Sequence, residues 1–149
     1  MDNISEHISY KEAVYSDTAL RNGYMNKPDD YEISNMVKLA ENIFEPLRNH
    51  FRKPIYISSM FRSYELNVKI GGSESSQHMK GEAMDIDADV YGDVTNVEIF
   101  KYIRGNLDFD QVIFESPKGD GDCEWVHVSY CDYNRNQVLI MEDGKYKII

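Results

Sequence analysis

The sequence predicts a single α+β domain, with N-terminal helices packed on a mainly antiparallel sheet. Helical patterns come first and strand patterns crowd the second half. A chain of 149 residues, 42% of them hydrophobic, is enough for one core. No linker, internal repeat or composition break divides it, so residues 1–149 form one unit.

The elements follow in order. Ser9-Tyr10-Lys11-Glu12 has the form of a capping box, with Glu three residues after the Ser cap, and opens a short helix. A second turn of helix, Asp17 to Asn22, stops at Gly23. Pro28-Asp29-Asp30 introduces the longest helical pattern, about Tyr31 to His50. There Ile33, Val37, Ala40, Phe44 and Leu47 recur at threes and fours, which makes one face core. Ile55 to Ser59 reads as a strand with Arg62 just past its end. Ser63 caps a helix running to about Ile70, closed by Gly71-Gly72.

A polar loop, Ser73 to Gln77, delivers His78. Ala83 to Ala88 is a strand whose alternation sets Met84 and Ile86 on one face and Asp85 and Asp87 on the other. Thr95-Asn96-Val97-Glu98 is a second capping box and starts a helix to about Asn106. Strands follow at Gln111 to Glu115, Glu124 to Tyr130 and Gln137 to Met141. Asp143-Gly144 then turns the chain into Lys145 to Ile149.

Composition narrows the function. A formal net charge of −10 argues against a nucleic-acid partner, because phosphate binding needs clustered Lys and Arg. The first residues are acidic and polar, unlike a signal peptide, and no apolar run approaches the roughly 18 residues a membrane span requires. The expectation is a soluble cytoplasmic monomer. Cys123 and Cys131, if on one strand, lie roughly 26 Å apart at about 3.3 Å per residue. That is too far for a disulfide, so two reduced thiols are expected.

The chemistry concentrates in Ser76-Gln77-His78-Met79-Lys80-Gly81-Glu82-Ala83-Met84-Asp85 and in Glu124-Trp125-Val126-His127. A catalytic zinc takes three protein ligands from His, Cys and carboxylate and leaves a fourth position open. His78 and Asp85, seven apart across Gly81, allow a loop histidine to fold over the first carboxylate of the strand. Asp87 and Asp89 compete with Asp85 for that role. A calcium loop is excluded, because Val90 and Asn96 stand where it needs Gly and Glu. His127 is the third ligand candidate. Glu124, three residues earlier, points to the opposite face of a regular strand and joins the site only through a loop or bulge at the start of the strand. Arg62, between a strand and a helix, either lines a cleft or makes a surface ion pair. His7 and His50 fall in helical scaffold and are expected to face solvent.

The ordered set Phe61-Arg62-Ser63, Ser76-x-His78-x-x-Gly81-x-Ala83-x-Asp85-Ile86 and Glu124-Trp125-Val126-His127 resembles the zinc D-alanyl-D-alanine carboxypeptidase family. That family includes vancomycin-resistance D,D-dipeptidases and phage L-alanyl-D-glutamate endolysins, and it shares a fold with hedgehog signalling domains. Leu39 to Arg48 resembles the helix before the first strand in its short-chain branch. The resemblance implies one Zn2+ held by His78, Asp85 and His127, with Glu124 as catalytic base. It also implies that Arg62 binds substrate and stabilises the transition state, while Ser76 and Trp125 contact the peptide. The chain departs from the pattern at Met60, where a small residue is expected. The implied substrate is a peptidoglycan stem peptide or another D-Ala-containing peptide, reached by a phage-type lysin only on release. The implied alternatives are a cytoplasmic D-Ala-D-Ala dipeptidase and, in a different class, a non-catalytic zinc module that binds wall peptides or a protein partner.

Overall fold

A six-stranded sheet with strand order β3-β4-β6-β5-β7-β8 organises the computed structural model, which describes residues 1–149. Its strands are β3 (Ile57–Ser59), β4 (Ala83–Ile86), β5 (Gln111–Pro117), β6 (Cys123–Ser129), β7 (Gln137–Glu142) and β8 (Lys145–Ile148). All neighbours pair antiparallel except β5 and β7, which run parallel. The predicted α+β class with a mainly antiparallel sheet is what forms.

The helices begin where side chains satisfy their first backbone N–H groups. Ser9 Oγ accepts from Glu12 N at 3.0 Å and opens α1 (Tyr10–Val14). Ser16 caps α2 (Asp17–Asn22), which ends on Gly23 in the left-handed region (φ 69°). Full capping boxes, Asp29 with Glu32 and Thr95 with Glu98, open α3 (Asp30–Leu39) and α6 (Asn96–Asn106). Ser63 caps α5 (Tyr64–Lys69). The long predicted helix is continuous through α3, a π-helical segment (Ala40–Phe44) and α4 (Glu45–Phe51). Pro46 has no N–H to give and would crowd the carbonyl four residues back, and the wider turn just before it relieves that conflict.

One face of the sheet is the core. Met84 and Ile86 of β4, Val126 and Val128 of β6, and Val112 of β5 pack against Met36, Leu39, Ile43, Phe44 and Leu47 of the long helix and Ile99 and Ile103 of α6. Alternation sends Asp85, Ile113, Glu115 and His127 to the other face, where no long helix covers them. That face is the floor of the cleft described below. A short hairpin, β1 (Asn3–Ser5) with β2 (Ile8–Ser9), lies outside what periodicity predicted, because three- and two-residue strands carry no readable alternation. It places His7 in a hairpin turn rather than in helical scaffold. His50 stacks on Tyr102, ring centroids 4.1 Å apart.

Candidate metal centre

His78 reaches the cleft on a single 3-10 turn, Gln77–Lys80. Ser76 Oγ accepts from His78 N (3.3 Å), and the turn ends on Gly81 at φ 75°. Glycine is required there twice over. The backbone is left-handed, and a Cβ would lie 2.3 Å from the Glu32 carbonyl oxygen of α3. The helical layer therefore sets the position of the turn. His78 Nδ1 donates to the Met60 carbonyl at 2.7 Å, which leaves Nε2 as the lone-pair nitrogen. That Nε2 is buried, makes no hydrogen bond and lies 3.4 Å from Asp85 Oδ1.

Asp85 and His127 are directly opposed on β4 and β6. His127 Nδ1 lies 3.0 Å from Asp85 Oδ1, and the two imidazoles meet edge to face with centroids 5.2 Å apart. Burial raises the Asp85 carboxyl, but it is held below the usual carboxylate range, with His127 Nδ1 donating to its Oδ1. Burial lowers His78, keeping its ring neutral with the Nε2 lone pair available.

Arg62 fixes the other oxygen of Asp85. Its Nη2 donates to Asp85 Oδ2 (3.2 Å), Nη1 to Asn67 Oδ1 (3.3 Å) and Nε to Ser59 Oγ (3.2 Å). Five guanidinium N–H groups serve three partners, so donors remain free where Arg62 lines the cleft. The role is an anchor for the carboxylate, not a surface ion pair.

The donor atoms of His78, Asp85 and His127 all lie within 4.8 Å of one another. Two imidazoles and one carboxylate form the ligand set of a catalytic zinc with one position open. The buried Nε2 of His78 has no hydrogen-bond partner, as suits a nitrogen whose partner would be a metal. The residues fit zinc.

Comparison with known families agrees. The family model for Peptidase M15 matches residues 6–129. The chain belongs to the M15 peptidase family. M15 peptidases are zinc-dependent metallopeptidases, and the predicted family resemblance is thereby established. The comparison with curated proteins gives no match.

Within this M15 peptidase the remaining predicted residues divide. Ser76 and Trp125 line the cleft beside Arg62 and the three ligand candidates. Glu124 does not. It is exposed, and the β5–β6 register keeps step from Pro117↔Cys123 to Val112↔Val128, so no inserted residue turns it toward His127. The side chain expected to serve as base therefore stands on the opposite face of β6 from His127. Asp87 and Asp89 are also occupied elsewhere. Asp87 Oδ1 accepts from Asp89 N and Asn96 Nδ2, and Asp89 pairs with Lys118 (3.1 Å). Met60, where a small residue was expected, sends its side chain into the core and only its carbonyl to His78. Both cysteines are free, and burial pushes the Cys123 thiol up to about 12, leaving it unreactive.

Sequence reasoning passed over Glu115. It lies in the cleft face of β5, opposite Trp125, only 4% exposed, and its Oε2 is buried without a partner. Burial pushes its carboxyl up to about 7, with Asp85 adding to the effect and His127 opposing it. A signal was present: Val112 and Phe114 are core-side apolar residues, so Glu115 shares the inward parity of Gln111 and Ile113.

Proposed function

We propose that this M15 zinc peptidase hydrolyses a peptide bond next to a D-amino acid in peptidoglycan stem peptides, as a carboxypeptidase or an L-Ala-D-Glu endopeptidase. The observation that carries the reading is the His78–Asp85–His127 cluster, with an unpartnered nitrogen at its centre, on the floor of a cleft of about 700 Å³. Zinc held by these three side chains would supply a Lewis acid for the scissile carbonyl and lower the pKa of water at its open position. Arg62 holds Asp85 Oδ2 in place, and its remaining N–H groups are available to a substrate oxygen. The Ser76 hydroxyl and the Trp125 ring supply one polar and one apolar contact for the peptide.

Cleft length favours a peptide over a free dipeptide. From His127 the floor crosses Ile113 and Leu139 to Ile148, each paired with the next across adjacent strands. Three strand spacings of about 4.8 Å make this about 14 Å. An extended dipeptide spans about 7 Å. Tyr146 and Ile148 at the far end are exposed, so that end of the floor is open.

The test is mass spectrometry of purified peptidoglycan after digestion by the zinc-loaded protein, with a chelated control. Loss of one terminal D-alanine identifies a carboxypeptidase, and stem peptides freed at L-alanine identify an endopeptidase. Turnover confined to free D-Ala-D-Ala would replace this reading with the dipeptidase. No product on either substrate would leave the zinc-binding module as the better account.

A further inference from the structure

Resting on the peptidase reading, we propose that Glu115 is the general base of this site, and that Glu124 has no part in the chemistry. Glu115 Oε2 takes one proton from the attacking water as the oxygen–carbon bond forms. It returns that proton to the leaving nitrogen as the carbon–nitrogen bond breaks. One water is consumed, and the carboxylate ends as it began.

Three observations on one side chain lead there. First, Glu115 is almost fully buried, yet Oε2 has no hydrogen-bond partner. An unpaired buried polar group is unfavourable by about 1–3 kcal/mol, and more for a charge, so a purely structural glutamate would be bonded or replaced. Its neighbours on the cleft face, Ile113 across one residue and Met141 opposite, are apolar and gain nothing from a carboxylate.

Second, the register fixes its distance from the ligands. Ile113 is opposite His127 and Glu115 is opposite Trp125, which makes Glu115 the diagonal neighbour of His127. Diagonal pairs lie about 7–8 Å apart, within reach of a long side chain. Third, Glu115 oxygens fall outside the 4.8 Å group made by His78, Asp85 and His127. A carboxylate beside the ligand set but not in it is where a base must stand to reach a water without competing for the ion. Glu124 meets none of these conditions, being exposed and absent from the cleft walls.

The experiment compares Glu115→Gln with Glu124→Gln in the full chain. It reads zinc stoichiometry and affinity, melting temperature without metal, and kcat and KM on peptidoglycan. Glu115→Gln should bind one zinc with affinity within about 3-fold of wild type and melt no lower than it, because an unpaired carboxylate has been removed. Its kcat should fall by about 10²–10⁴-fold, the usual contribution of a general base, with little change in KM. Glu124→Gln should match wild type within about 2-fold in all three.

Lost zinc binding in Glu115→Gln would make Glu115 a ligand, and a melting temperature lowered by several degrees would make it structural. Retained turnover in Glu115→Gln, or lost turnover in Glu124→Gln, would overturn the assignment outright. Wild-type protein without turnover would instead sink the peptidase reading and the base with it. That outcome is distinct from an active wild type with an active Glu115→Gln.

Discussion

Two clusters in this molecule pass the same geometric test. His78, Asp85 and His127 hold three donor atoms within 4.8 Å of one another, and so do Glu6, His7 and Glu45. They differ in what is already bonded. In the second cluster Glu45 Oε1 accepts from His7 Nδ1 (2.5 Å), while Oε2 accepts from Ser5 Oγ (2.6 Å) and His7 N (3.0 Å). Both Glu45 oxygens and His7 Nδ1 are already bonded, and Glu6 stands in solvent. Its work is to pin the β1–β2 hairpin to the start of α4. In the first cluster, by contrast, the nearly fully buried His78 keeps a nitrogen with no partner. Proximity of donors is common; a buried donor left unsatisfied is not, and it is what distinguishes a metal site from a structural knot.

The largest difference should appear on removing one member of each cluster. His78→Ala should weaken zinc binding by more than about 100-fold, since loss of a residue that merely supports a ligand already costs 10–100-fold. Glu45→Gln should leave zinc affinity unchanged. Melting with zinc at about 100 times its wild-type Kd should rise by the equivalent of about 2.7 kcal/mol in wild type and Glu45→Gln, and by less than about 0.4 kcal/mol in His78→Ala. A zinc-dependent rise in His78→Ala that vanished in Glu45→Gln would reverse the two roles.

An intermediate effect is expected at Arg62. Arg62→Lys keeps one charge near Asp85 but cannot serve Ser59, Asn67 and Asp85 from one planar fork. Zinc affinity should fall about 10-fold, read by competition with a chromogenic chelator. An unchanged affinity would show that Asp85 needs no anchor.

The smallest effect belongs to the structural cluster, and it depends on pH. Burial tends to raise the Glu45 carboxyl, but bonds from His7 and Ser5 outweigh it and hold the carboxyl below its ordinary value. A depressed folded pKa means the bonds stabilise fully above the unfolded value of about 4.3 and fade as pH falls through the folded one. Glu45→Gln should therefore be about 1–2 kcal/mol less stable at pH 7 in urea unfolding. The gap from wild type should close in acid, and a gap that widened there would mean the sign is wrong.

Much of this architecture was legible one residue at a time. Caps at Ser9, Asp29, Ser63 and Thr95 are local, each a side chain bonded to a backbone N–H three residues on, so sequence spacing reads them directly. The cleft-side placement of the candidate ligand Asp85 was legible for a related reason. Alternation along β4 sends Asp85 away from Met84 and Ile86, and parity is a property of a single strand. The β1–β2 hairpin was too short to show a period, and the π-helical segment sits inside a helix pattern that hides it.

The sequence by itself determined the α+β class, the order of the longer helices and strands, the cleft-side parity of Asp85 and, through parity, the difficulty with Glu124. Only the tertiary structure showed which face Glu124 takes, because register between β5 and β6 is set by pairing of residues six to sixteen positions apart. It alone placed Glu115 diagonal to His127, ran β7 parallel to β5 to lengthen the floor, and gave Arg62 its three partners. The reason is physical. Caps and alternation follow from bonds within a few residues, whereas burial and the lack of a hydrogen-bond partner depend on which distant segments close around a side chain. His78 Nε2 and Glu115 Oε2 are such atoms, and nothing within a few residues of either could reveal that it would be buried and left unpaired.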